Sequence, residues 1–311
     1  MRYRGDGLPP DGDKNRVFPY FADGGLRDAV NMAIELGNPL LVKGPPGCGK
    51  TKLAESIAHE LGVPEENFFK WHIKSTSRAR DGIYTIDLVR RLQDAQMGER
   101  RAQTLTPYIR FGALGQALRS GAQSVLLIDE IDKADIDFPN DLLRELDEKK
   151  FTIEELVGVV LTEDEIKAGW QSTYDAQNRP VIIITSNDEK ELPDAFLRRC
   201  FFYYIDFPKK ERLLEIVTAN VLDKDKMSPD SKMVEHAVTQ ILRFREIGDL
   251  RKAPATSELI DWVRILLHWE VAAGKLAGDK RLIDLPYWQA LFKYERDLSR
   301  VRELHGEKSK Q

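Results

Sequence analysis

Only two cysteines, Cys48 and Cys200, occur in 311 residues. That count leaves no disulfide framework and no metal-ligand spacing, so both are expected to be ordinary reduced thiols. The five histidines stand singly at 59, 72, 236, 268 and 305 with no H-x-x-x-H pair, so no protein-ligated metal centre is indicated. No apolar run approaches the about eighteen residues that cross a bilayer, and the polar start Met1 to Lys14 lacks the apolar core of a signal peptide. A soluble, cytoplasmic protein with no membrane role is expected. Neither sign of charge dominates: 47 basic residues face 51 acidic ones, net −4. Global attraction to nucleic acid is thereby excluded, and any such role must come from a local patch. Internal repeats and low-complexity tracts are also missing. Only the ends, 1–17 and 306–311, are polar enough to be expected flexible.

What is present is 42% apolar residues, enough for a real core and for two domains of ordinary size. Gly44-Pro45-Pro46-Gly47-Cys48-Gly49-Lys50-Thr51 reads G-x-x-x-x-G-K-T, a loop that cradles nucleotide phosphates. Leu40 to Lys43 before it reads as a short buried strand, and Leu53, Ala54, Ile57, Ala58 and Leu61 after it recur at helix spacing. In a strand–loop–helix setting the backbone N–H groups and the helix N-terminus face the phosphates. Lys50 is then expected to reach the β- and γ-phosphates, and Thr51 to set its hydroxyl on Mg²⁺.

Apolar runs recur at Val125 to Ile128, Val181 to Ile184 and Phe202 to Ile205, with helical stretches between them. This alternation predicts an α/β fold with a parallel sheet covered on both faces, binding its ligand at the carboxyl ends of the strands. A further helix from Asp23, its N-cap, to Gly37 precedes the first strand. After Phe207-Pro208 strand signals cease, and helical patterns at 209–222, 229–247, 255–273 and 286–304 mark a second, all-helical domain. The boundaries expected are 18–207 for the nucleotide-binding domain and 208–305 for the helical one.

Val125-Leu126-Leu127-Ile128 delivers Asp129 and Glu130 at a strand end. One carboxylate there can hold Mg²⁺ through its water shell and the other can polarise an attacking water, and Asp129 is assigned to metal, Glu130 to base. Val181 to Ile184 ends in Thr185-Ser186-Asn187, whose amide could orient that water. Leu192-Pro193-Asp194-Ala195-Phe196-Leu197-Arg198-Arg199-Cys200-Phe201 follows as a short helix ending in two arginines.

In this order and spacing, GPPGCGKT, VLLIDEIDKA, ITSN and LPDAFLRRCFF resemble the AAA+ ATPases, and within them the MoxR branch, over about Phe18 to Arg300. The resemblance implies an αβα P-loop nucleotide domain followed by a helical lid, with ATP and Mg²⁺ at the interfaces of a homo-oligomeric ring, commonly a hexamer. It places an arginine finger at Arg199, with Arg198 the neighbouring alternative. Such a finger, supplied by the next subunit, is worth roughly 10³ to 10⁵ in rate, or about 4 to 7 kcal/mol. Where relatives carry a second sensor arginine this chain has Ser257, with Arg251 and Lys252 as substitutes. Tyr20-Phe21 lies where relatives contact adenine, although such a pair also serves a core. The resemblance also implies ATP-driven remodelling or activation of a partner protein, including von Willebrand A-domain partners or enzymes receiving metals. The alternative is a nucleotide-dependent binding switch acting on nucleic acid or in a defence complex, some of whose relatives use GTP. Lys74 to Arg110, with eight basic and four acidic residues, corresponds to the pore-facing insert of MoxR-like proteins and is the local patch for an acidic tail or a nucleic acid, with Tyr84 as a contact. The second variable segment is Glu154 to Asn178, long for a loop.

Overall fold

The computed structural model describes residues 2–221 and 231–304. The expected tail 306–311, and the helix ends expected at 222 and 229–230, lie outside the described residues. Strands among them are Leu40–Lys43 (β1), Phe68–His72 (β2), Tyr84–Ile86 (β3), Ile109–Phe111 (β4), Val125–Asp129 (β5), Lys150–Thr152 (β6), Thr173–Asp175 (β7), Val181–Ser186 (β8) and Phe201–Tyr204 (β9). Five make one parallel sheet in the order β2-β5-β8-β1-β9. The central strands β5 and β8 are buried at every position, as continuous apolar runs covered on both faces require. Their register, Leu127 opposite Ile183 and Ile128 opposite Ile184, brings both chains to the same edge, so Asp129 and the segment from Thr185 emerge side by side.

Strand β2 is not anticipated by the apolar pattern. At the sheet edge its residues Phe68-Phe69-Lys70-Trp71-His72 are half-buried or exposed, giving neither a buried run nor a clean alternation. Two further antiparallel pairs, β3 with β4 and β6 with β7, bracket the basic insert and the segment expected as a long loop.

Contacts divide the chain into two units, one of Met1–Phe18, Ala22–Lys43 and Lys50–Tyr204, the other of Pro19–Phe21, Gly44–Gly49 and Ile205–Gln311. In the first, the helix Gly24–Leu36 starts where Asp23 Oδ1 accepts the Leu26 N–H at 2.9 Å and stops at Gly37, whose φ of 70° closes the helix end. In the second, helices Lys210–Val221, Ser231–Arg245, Thr256–His268 and Glu295–Leu304 surround the buried Phe244, Trp262, Trp288 and Phe292. Two of these are shorter than the periodicity predicts. The helix expected over 255–273 ends at His268, just before Glu270 at φ 49°, and the one expected from 286 starts at Glu295. Pro286, Tyr287 at φ 55° and a single 3-10 turn over Trp288–Leu291 carry the chain in between.

Part of the N-terminal segment expected to be flexible is anchored, over Tyr3 to Gly7. Tyr3 is fully buried, its hydroxyl 3.1 Å from Ser56 Oγ, and its N–H and C=O both bond the Asn31 side chain at 2.8 Å. The Glu60 carboxylate accepts the N–H groups of Arg4, Gly5 and Gly7 at 2.9, 3.1 and 3.0 Å. Polar composition hid this because the anchor is one aromatic ring and one distant carboxylate. Tyr3→Ala is expected to lower stability by roughly 3 kcal/mol, read by chemical denaturation; an unchanged midpoint would show that the segment contributes nothing in solution.

Candidate nucleotide site

The loop Gly44–Gly49 leaves β1 and enters the helix Lys50–Glu60. Backbone φ at Gly47 is 85°, a conformation that L side chains rarely adopt, and a Cβ there would collide with Ser257 Oγ and stand 3.1 Å from the Ala255 Cβ. A Cβ on Gly44 would meet the Ile205 carbonyl at 2.7 Å. Neither position has room for a side chain, so glycine is required at both. Tyr20 lies against this loop, its ring 3.1 Å from where a Gly49 Cβ would stand. Of the residues weighed as second sensor, Ser257 is beside Gly47, whereas Arg251 stacks over Tyr294 at 4.1 Å and Lys252 pairs with Glu258 at 2.8 Å. Burial alone would raise the Glu258 carboxyl, but Lys252 and Ser257 outweigh it and hold the group below the usual range.

Lys50 and Thr51 open the following helix, and Lys50 is buried. The Thr51 hydroxyl lies 3.2 and 3.3 Å from the two oxygens of Asp129, which is itself 7% exposed. A hydroxyl and a carboxylate converging in this way are the hard oxygen donors that Mg²⁺ takes, and they leave its remaining positions for water and phosphate. The residues present therefore fit that cation. His72, opposite Asp129 in the β2–β5 register, brings Nδ1 to 3.2 Å from Asp129 Oδ2.

Glu130 follows with φ 61° and ψ 50°, a left-handed conformation that costs a non-glycine residue about 1 to 2 kcal/mol. The turn carries the second carboxylate out of the strand direction. Its Oε1 accepts the Asn187 amide at 3.1 Å, and its Oε2 pairs with Lys133, whose ammonium is held above its usual range by that contact. The residue that sequence reasoning missed is Thr185. Its hydroxyl donates to Asp129 Oδ1 at 2.6 Å and accepts the Glu130 N–H at 2.8 Å, so one buried side chain holds the Asp129 carboxylate and the Glu130 backbone. The available signal was a hydroxyl residue breaking an apolar run, one strand away from the acidic pair.

The structure brings Thr51, Asp129, Glu130 and Asn187 together in the first unit. It does not bring the arginines to them: Arg199 donates from Nη1 to the Ala195 carbonyl at 2.8 Å and pairs through Nε with Asp147, while Arg198 is exposed at the helix end. Burial pushes the Cys200 thiol up to about 12. In the basic insert, Arg80, Arg101 and Arg110 are paired with Glu155, Asp94 and Asp87. Tyr84, considered as a contact, is 3% exposed and bonds Glu155 at 2.7 Å.

A parallel sheet with a glycine-rich loop after β1 and paired carboxylates after β5 defines a P-loop, ATP-hydrolysing enzyme. The model of the ATPase family associated with various cellular activities (AAA) matches residues 40–209, and the chain belongs to that family. It is similar to the chaperone protein ClpB of Dichelobacter nodosus, 27% identical over 224 residues, which is 71% of this chain and 22% of the relative. It is also similar to ClpB of Meiothermus ruber, 33% identical over 147 residues, 47% of this chain and 14% of the relative. The chain thus spans about a fifth or less of the length of these relatives.

Thr185→Val keeps the shape of the strand end and removes both hydrogen bonds. Leaving the Asp129 oxygen and the Glu130 N–H without that partner costs about 1 to 3 kcal/mol. ATP turnover is expected to fall by ten-fold or more with the fold intact by circular dichroism. Turnover equal to the parent protein would remove Thr185 from the site.

Proposed function

We propose that this chain is a Mg²⁺-dependent ATPase of the MoxR type that assembles into a ring, a hexamer by resemblance, and uses hydrolysis to remodel or activate a partner protein. The observation that carries the proposal is the convergence at one sheet edge of Thr51 on Asp129 and of Asn187 on Glu130. The similarity to ClpB chaperones supports a protein substrate, and the MoxR resemblance supports a von Willebrand A-domain partner.

In this reading Gly44, Pro45, Pro46, Gly47, Cys48 and Gly49 wrap the phosphates and Lys50 reaches them from the helix start. Thr51 and Asp129 hold Mg²⁺, which when bound offsets the phosphate charge. Glu130 takes the proton of the attacking water, and Asn187 fixes the carboxylate through Oε1. Arg199, or Arg198 beside it, acts on the site of the neighbouring subunit. The Arg199–Asp147 pair does not oppose that role: both side chains are about 40% exposed, and exposed pairs contribute about 0 to 1 kcal/mol against the roughly 4 to 7 that a finger supplies. The switch acting on nucleic acid draws less support, because Arg80, Arg101 and Arg110 of the basic insert are already paired with acids and the expected contact Tyr84 is buried.

The test is Mg²⁺-dependent ATP hydrolysis against protein concentration. The rate per subunit is expected to rise with concentration and to collapse in Arg199→Ala; a flat rate insensitive to both arginines would sink the ring with shared sites. Glu130→Gln should retain ATP binding and lose turnover, whereas Lys50→Ala should lose affinity itself. Normal ATP binding by the lysine variant would refute the phosphate-loop assignment.

A further inference from the structure

Asp132 is an acid that the proposed chemistry does not use, yet it is 2% exposed, two residues beyond Glu130 in the 3-10 segment Ile131–Lys133. Burying a carboxylate is costly unless its hydrogen bonds repay the lost water. Its bonds go to a single place. Oδ2 accepts the N–H groups of Asn187 at 3.0 Å and Glu189 at 2.9 Å, while Oδ1 is buried without a hydrogen-bond partner. Between the two donors stands Asp188 at φ 64°, the left-handed residue that turns alternate N–H groups to the same side and makes an anion-binding concavity. Asp188 is held in that turn by its own N–H on Ser186 Oγ at 3.0 Å and by Lys43 on its carboxylate at 2.5 Å. The concavity is filled from within the chain, by the residue two positions after the proposed base.

The consequence is a closed circuit. Glu130 is joined through the backbone to Asp132, Asp132 holds the loop that carries Asn187, and the Asn187 amide returns to Glu130 Oε1. We infer that Asp132 is a positioning residue for hydrolysis, which sets the Asn187 amide on the Glu130 carboxylate by anchoring the 187–189 turn. The inference rests on the roles proposed above for Glu130 and Asn187. Asn187 approaches from a different strand, and a loop free to shift by an ångström loses the 3.1 Å contact; the Asp132 carboxylate restrains that loop from the Glu130 side.

The experiment measures kcat, KM and ATP affinity for Asp132→Ala and Asp132→Asn, each alone and combined with Asn187→Ala. A charge-assisted hydrogen bond of about 1.5 to 3 kcal/mol predicts that Asp132→Ala lowers kcat roughly ten- to a hundred-fold. ATP affinity and KM should stay within about two-fold. Asp132→Asn, which keeps an oxygen facing both amides, should recover most of the rate. In the Asn187→Ala background, Asp132→Ala should add little, because its route to Glu130 is already cut. Full additivity of the two variants, or a parallel loss of affinity and kcat, would overturn the inference and make Asp132 a general support of the fold. Should Asp132→Ala not fold, Asp132→Ser, too short to reach the turn, takes its place with the same expectations. If Asn187→Ala and Glu130→Gln both keep full turnover, the parent reading fails and this one with it; if both lose turnover while Asp132→Ala does not, only this inference fails.

Discussion

Two successive carboxylates at the end of a fully buried strand are the constraint that the rest of the site serves. In an extended strand Asp129 and Glu130 would point to opposite faces of the sheet. The left-handed backbone at Glu130 takes the chain out of that direction, and the Thr185 hydroxyl ties the Asp129 carboxylate and the Glu130 N–H to β8. That arrangement depends on the β5–β8 register. A slip by one residue would turn Thr185 to the opposite face of the sheet and leave two acids without their shared partner. The apolar residues of these strands therefore hold more than a core: their pairing sets Thr185 beside Asp129 and the Glu130 N–H.

The loop after β1 answers a different demand. Phosphate recognition by backbone needs N–H groups that no side chain shields, and glycine is the residue that allows both the dihedrals and the closeness. Within the second unit, Ser257, Ala255 and Glu258 crowd Gly47, and Glu258 is kept charged by Lys252 and Ser257. Ser257, expected from the resemblance to take the place of a second sensor arginine, has the Lys252–Glu258 pair beside it.

Much of the fold was legible because its central strands are covered on both faces and so read as plain apolar runs. Leu40, Val125 and Val181 each open such a run, and the loop and acids follow directly from them. Strand β2 was hidden by its edge position, which mixes Lys70 and His72 with aromatics. The helical unit was legible in class but not in its ends, since a positive φ at Glu270 or Tyr287 leaves no trace in hydrophobic spacing. Among site residues, Lys50, Thr51, Asp129, Glu130 and Asn187 carry their chemistry in type and spacing. Thr185 and Asp132 act through contacts across about 55 residues of chain, and only the folded register reveals them.

The state of Glu130 bears on how the site works. Both of its oxygens are engaged, one by Asn187 and one by Lys133, and a base needs one of them for water. The two partners are unequal. Lys133 and Glu130 are 42% and 34% exposed, so their pair is a solvent-screened contact on a flexible stem, worth about 1 kcal/mol or less. Asn187 is fixed by a buried anchor at its own backbone. On the roles proposed above, water entering the site would displace the lysine more readily than the amide, freeing Oε2 for proton transfer while Oε1 keeps the carboxylate aimed. Slow hydrolysis by an isolated subunit would then follow from the absent arginine rather than from an occupied base.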